Sequence, residues 1–370
     1  MNIDFKSMEG RKKKLYSALW GDFDFSTINA KIENTRNLKD SKPSRNSYCF
    51  SGEMDKHGEL LMKIFGITDK EKELFKEKFA MAVSGSGQED QKIATLHSSS
   101  LCALLHFYNV TGDKEDINNN PLILSGLETN KTTRTIKFTR SVFEYKSPVI
   151  NTNHPSNMDV VLIGKDMESG EDIVLFLESK FAEYYTSAST KCKGISQKYL
   201  DNKYGSDLYK DNVLTRLGLK RNNYDTKHFE LVSMSEPFYI GGIKQMISHY
   251  IGIRNVLNKK YCEGKKQDNA SKQKEVEKAI ETGNGGKGAI VILGEIVFDR
   301  FIGDLELKPG LKCGAIYSQK YEILADEIGK LIKNEKVERF EILKKELGYS
   351  LFLTNPHKIE DRIRQFYREE

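Results

Sequence analysis

Three charges interrupt two otherwise apolar segments, Ser156-Asn157-Met158-Asp159-Val160-Val161-Leu162-Ile163 and Asp172-Ile173-Val174-Leu175-Phe176-Leu177-Glu178-Ser179-Lys180-Phe181. They are Asp159, Glu178 and Lys180, and burying charge is costly unless the charges pair or bind metal. Two carboxylates suit a hard divalent cation such as Mg2+, or Mn2+ in its place, because magnesium keeps several waters and takes only one or two protein carboxylates. A lysine beside them can orient or deprotonate a metal-bound water, or stabilise charge building on a phosphorus centre.

Two strands must bring these residues together. Each segment is a short β-branched run bounded by Gly, Pro, Asn and Ser, and the link from Gly164 to Glu171 is glycine-rich and charged, so the pair reads as a β-hairpin. Residues two apart in a strand share a face, which points Glu178 and Lys180 together and Ser179 away. Asp159 opens one strand and Glu178 closes the other, and in an antiparallel pair those ends are adjacent.

An Asp followed about twenty residues later by Glu-x-Lys at the end of an apolar strand resembles the PD-(D/E)XK nuclease superfamily, with Met158 standing where the family usually has proline. The runs Val142-Phe143-Glu144-Tyr145, Asn157-Met158-Asp159, Glu178-Ser179-Lys180-Phe181, Gly85-Ser86-Gly87-Gln88-Glu89, His97-Ser98-Ser99-Ser100 and Gly241-Gly242-Ile243-Lys244-Gln245 are similar to a bacterial restriction-endonuclease-like group within it. The likeness spans about residues 84–300. It implies an α/β fold with a restriction-endonuclease-like core, ordered helix, three strands, helix, strand, whose mixed central sheet is flanked by helices. It also implies a metal-dependent endonuclease acting on double-stranded DNA and leaving a 5′-phosphate and a 3′-hydroxyl. In such a site Asp159, Glu178 and the Ser179 carbonyl hold the metal while Lys180 stabilises charge or removes a proton. Nucleases for repair, recombination or RNA, and a nucleic-acid-binding protein without catalysis, are alternatives on the same fold.

Read in order, residues 1–83 carry helical spacing at 10–20 and about 56–82, separated by a polar stretch from Asn34 to Ser51. Glu89 to Tyr108 reads as the first core helix. The resemblance points Glu89 at the metal, whereas a first-turn acid favoured by the helix dipole would look the same. Residues 111–131 read as a loop, and Thr133 to Val149 as the first core strand, with Glu144 either an auxiliary metal or water contact or an exposed strand residue. An insertion at about 186–237 interleaves Lys191, Lys193, Lys198, Lys220 and Arg221 with Tyr199 and Tyr204, a composition that suits phosphate contacts as well as a solvated surface.

Ile243 to Leu257 reads as an apolar helix with Gln245 and His249 on one face. In RecB-like members of the superfamily a glutamine there reaches the site, which is the role implied for Gln245; Tyr250 falls one residue late for that branch's tyrosine. Residues 258–288 are low in complexity, Gly288 to Phe298 is a fourth buried strand, and 301–370 read as helices at Tyr317–Phe340 and Lys358–Glu370, suited to a lid or to a homodimer contact.

Composition narrows the rest. With 58 basic and 53 acidic residues the net charge is only +5, so any DNA-binding surface depends on uneven charge distribution. Five widely spaced cysteines with no C-x-x-C pair fit reduced thiols in a cytoplasm. No run approaches the eighteen apolar residues of a membrane span.

Overall fold

The computed structural model describes residues 5, 10–34, 48–51, 58–84, 93–112, 119–149, 155–201, 206–258, 271–299 and 308–368. The elements follow the chain as α1 (Gly10–Trp20), β1 (Ile32–Asn34), β2 (Tyr48–Phe50), α2 (Glu59–Phe65), α3 (Lys72–Ala82), α4 (Ser99–Phe107), β3 (Leu122–Glu128), β4 (Thr133–Ser147), β5 (Ser156–Asp166) and β6 (Asp172–Lys180). After them come α5 (Glu183–Thr186), β7 (Lys191–Ser196), α6 (Asp211–Arg216), β8 (Leu219–Asn223), β9 (His228–Ser233), α7 (Ile240–Leu257), α8 (Ser271–Gly286), β10 (Ile290–Val297), α9 (Lys308–Asn334), β11 (Phe340–Ile342), β12 (Leu347–Gly348) and α10 (Asp361–Phe366).

The fold is mixed α/β. A central sheet runs β11-β10-β6-β5-β4-β3, and β12 pairs with β10. Strands β3 to β6 are antiparallel neighbours, while β10 lies parallel to β6, β11 and β12, which makes the sheet mixed. The apolar runs lie in its middle: Val160 to Leu162, Ile173 to Leu177 and Val291 to Leu293 are fully buried. Helix α4 packs on β5 and β6, and α7 packs on β4 and β5. Ser179 Oγ donates to the carbonyl of Ser99 at the start of α4, while Glu178 faces Gln245 and His249 of α7, so the two helices cover opposite faces of the strand pair.

The hairpin forms because its turn is chemically specified. Asp166 accepts from the N–H groups of Glu168 and Ser169, and Gly170 takes the left-handed backbone (φ 71°) that closes the turn. Helix α7 lies so close to β4 that a Cβ on Gly252 would run into Ser147 Oγ. Asn255 then bonds the carbonyls of Pro148 and Val149, both at 2.9 Å, fixing the end of β4.

Several sequence expectations change. The segment read as a loop at 111–131 contains β3, which extends the sheet beyond β4. The helix expected from Glu89 begins only at Ser99, capped by Ser98 Oγ, which accepts from the Leu101 N–H at 3.1 Å; Gly85 to Glu89, and with them the metal role expected of Glu89, lie outside the described residues. The helix expected to run to Phe340 stops at Asn334, and Phe340 instead begins β11, so the C-terminal part adds strands to the central sheet as well as helices. The basic insertion folds as its own three-stranded sheet, β7-β9-β8. Among the described residues no helix is long and apolar enough to cross a membrane.

Candidate active site

The paired ends of β5 and β6 place the charged residues. Val160 lies opposite Leu177, which brings Asp159 to the strand end facing Glu178, and Asp159 Oδ2 accepts from the Ser179 N–H at 2.7 Å. Glu178 in turn lies opposite Glu295 of β10. On the other side, the pairs Phe143–Val160 and Tyr145–Met158 flank Glu144 and Asp159, so Glu144, Asp159, Glu178 and Glu295 form a row across four strands. Glu144 is buried and has a left-handed backbone (φ 52°) inside a strand. That conformation costs a non-glycine residue about 1–2 kcal/mol, strain of a kind that collects at functional sites.

Glu144, Asp159, Glu178, Lys180, Gln245 and His249 line one cavity of about 490 Å³, with Ser156, Glu183, Tyr239 and Lys244 also on its wall. Lys180 Nζ donates to Glu178 Oε1 at 2.5 Å and to Gln245 Oε1 at 3.0 Å; Gln245 Nε2 donates to Glu178 Oε1 at 3.1 Å, and Tyr239 OH to Gln245 Oε1 at 3.0 Å. Both Glu178 and Lys180 are 3 % exposed, so this is a dry ion pair held by an amide that bonds both partners. Glu183 accepts from the N–H groups of Phe181 and Ala182, which turns the chain out of β6 directly after the pair.

The electrostatics separate the two carboxyls. Burial alone would push Glu178 up, but the Lys180 ammonium leads the groups that outweigh it and hold the carboxyl below the usual range. Asp159 is pushed well above its ordinary value, first by burial and then by the neighbouring Glu178 charge, with Lys180 and the Ser179 N–H opposing. For Lys180, burial works against the charged form, yet Glu178 raises it well above an ordinary lysine. Glu295 is raised by burial and keeps one oxygen on Tyr317 OH at 2.7 Å. Glu178 is thus biased toward its ionised form and Asp159 toward its protonated form, the pattern expected where two carboxyls share one buried site.

Sequence reasoning placed His249 on the Gln245 face without giving it a role, and passed over Ser156 and Glu295. His249 Nδ1 stands 2.5 Å from Ser156 Oγ, and its Nε2 stands 2.9 Å from Glu178 Oε2. The signals were present: His249 sits one turn from Gln245 on the same face, and Glu295 interrupts an apolar strand as Asp159 does. A Ser–His–carboxylate order also suits nucleophilic acyl transfer. Here, however, Glu178 is already paired with Lys180, and Nε2 meets Oε2 at 2.9 Å too obliquely for a hydrogen bond, which leaves both atoms without one. His97 and His106 have ordinary roles, His97 Nδ1 pairing with Tyr16 OH and His106 Nδ1 with the Cys102 carbonyl.

Among the described residues no group of three or more His, Cys, Asp or Glu converges tightly enough to hold a metal ion. A cation bound there would have to draw its donors closer together and keep waters in its shell, as magnesium and manganese do. The buried, unpartnered Glu178 Oε2 is the donor atom that fits one. No family model, curated protein or solved structure matches the chain.

Proposed function

We propose that this chain is a divalent-metal-dependent endonuclease of the PD-(D/E)XK, restriction-enzyme type, hydrolysing phosphodiester bonds of DNA. The observation that carries the reading is the meeting of Asp159, Glu178 and Lys180 at the open ends of two paired strands, in a cavity wide enough for a backbone phosphate. The element order α4, β4, β5, β6, α7, β10, with β10 parallel to β6, also supports a restriction-endonuclease-like core.

Asp159 and Glu178, with the carbonyl of Ser179, would hold the cation, which when bound supplies Lewis acidity toward the scissile phosphate and an acidified water. Lys180 holds Glu178 in place before substrate arrives. In the reaction its ammonium moves toward the phosphoryl oxygens, and it stabilises charge that exists only in the transition state. Gln245 keeps both ends of the pair in register while Tyr239 orients Gln245. Lys244 at the cavity wall and the basic face of β7 and β8 supply attraction for the phosphate backbone.

Incubation with supercoiled plasmid tests this reading. Cutting should require MgCl2 or MnCl2, stop with EDTA, and leave ends that DNA ligase rejoins, as a 5′-phosphate and 3′-hydroxyl allow. Cutting that is indifferent to EDTA, or no cutting of plasmid with either ion, would overturn it.

A further inference from the structure

We propose, resting on the nuclease reading above, that His249 Nε2 is a direct ligand of the catalytic cation, which makes this a mixed nitrogen and oxygen site favouring Mn2+ and later transition metals over Mg2+. His249 is 2 % exposed and Glu178 3 %, yet His249 Nε2 and Glu178 Oε2 are both without a hydrogen-bond partner. They lie 2.9 Å apart. Two buried polar atoms that both want a partner rarely sit so close with neither satisfied by the other, because each forfeits a hydrogen bond and pays its desolvation cost. A cation placed between them resolves both.

The separation fits that reading. Two donors each about 2.1 Å from one ion and at right angles lie ~3.0 Å apart. The rest of the imidazole is arranged as a ligand's would be. A ligating histidine gives its other ring N–H to an acceptor, and His249 Nδ1 is 2.5 Å from Ser156 Oγ, an acceptor for that proton in the tautomer that leaves Nε2 its lone pair. Ser156 is fixed for this role at the start of β5, opposite Ser147, whose hydroxyl donates to the Ser156 carbonyl at 3.3 Å. Lys180 and Gln245 occupy only Oε1 of Glu178, so Oε2 is left to the ion without breaking the ion pair. Imidazole nitrogen is a better donor to Mn2+, Co2+ and Zn2+ than to Mg2+, which prefers oxygen.

The test uses the full chain without an affinity tag, titrated with MnCl2 in the absence of DNA. Pulsed electron paramagnetic resonance of the bound Mn2+ should show imidazole nitrogen modulation that disappears in His249→Gln. Calorimetry should show Mn2+ binding about tenfold or more weaker in His249→Gln, with Mg2+ binding changed less. Circular dichroism establishes that the variant is folded. Should it not fold, His249→Asn is read in the same way, and among the described residues His249 is the histidine lining the cavity. Mn2+ that depends on Glu178 yet gives no nitrogen modulation would overturn the ligand role and leave the nuclease reading intact. Wild-type protein that binds neither Mn2+ nor Mg2+ and cuts no plasmid would remove both.

Discussion

Glu178 and Lys180 form a pair that neither residue could sustain alone in a dry strand end. Replacing Lys180 with Ala leaves a buried carboxylate facing only Gln245 and His249, and the expected loss is about 3 kcal/mol in urea unfolding. A second expectation comes from Glu346, whose carboxyl burial pushes up to about 7, and from Glu360, also raised to about 7 by burial and by Glu71. The neutral form of each is favoured in the fold. Their stabilisation is therefore fully present below the ordinary glutamate range and is lost as pH rises through about 7. Thermal midpoints should fall between pH 5 and pH 8, and Glu346→Gln should flatten part of that slope. Asp159, Glu178 and Lys180 were legible in the sequence because a charge inside an apolar run has no cheap structural explanation. Glu295 carries the same signal within β10. Ser156 carries none, since a serine at a strand start is unremarkable until a histidine from α7 packs against it.

At the scale of elements, the hairpin and its register hold the site, and a buried cluster at the far end of the hairpin holds the register. Arg134 of β4 reaches Asp166 at the end of β5 (2.8 Å) and Glu341 of β11 (2.7 and 3.1 Å), and Thr129 also donates to Glu341. Arg134→Met would leave two nearly buried carboxylates unpaired, at an expected cost of about 3–5 kcal/mol in denaturant unfolding. Helix α7 is the other positioning element. Gly252→Ala, which sets a methyl against Ser147 Oγ, should cost about 1–3 kcal/mol and displace Gln245 and His249, lowering cleavage more than global stability alone explains. Long periodic elements such as β4, β5, β6, α7 and β10 could be read from the sequence. Strand β3 could not, because Ser125-Gly126 breaks its alternation. Strands β11 and β12 are three and two residues long, too short for any period to register. Strands β7 and β8 hide behind lysines, since an exposed sheet face looks like a charged loop.

For the whole molecule, a net charge of +5 gives little general attraction to DNA, so the proposed binding would depend on where the cations stand. Lys191 and Lys220 both lie opposite Val232 and so share the outer face of the small sheet, and Lys193 stands 5.4 Å from the ring of the exposed Tyr224. Charge reversal of Lys191 and Lys220 to Glu should weaken duplex binding and reduce its salt dependence, while leaving Mn2+ binding unchanged. The most direct measurement of the central claim is single-turnover cleavage of a labelled duplex by wild type, Asp159→Asn and Lys180→Ala, with bound Mn2+ determined in the same samples. Asp159→Asn should lose metal and cutting together, whereas Lys180→Ala should keep its metal within about threefold and cut about 10²–10⁴-fold more slowly. Full-rate cutting by Asp159→Asn would contradict the account.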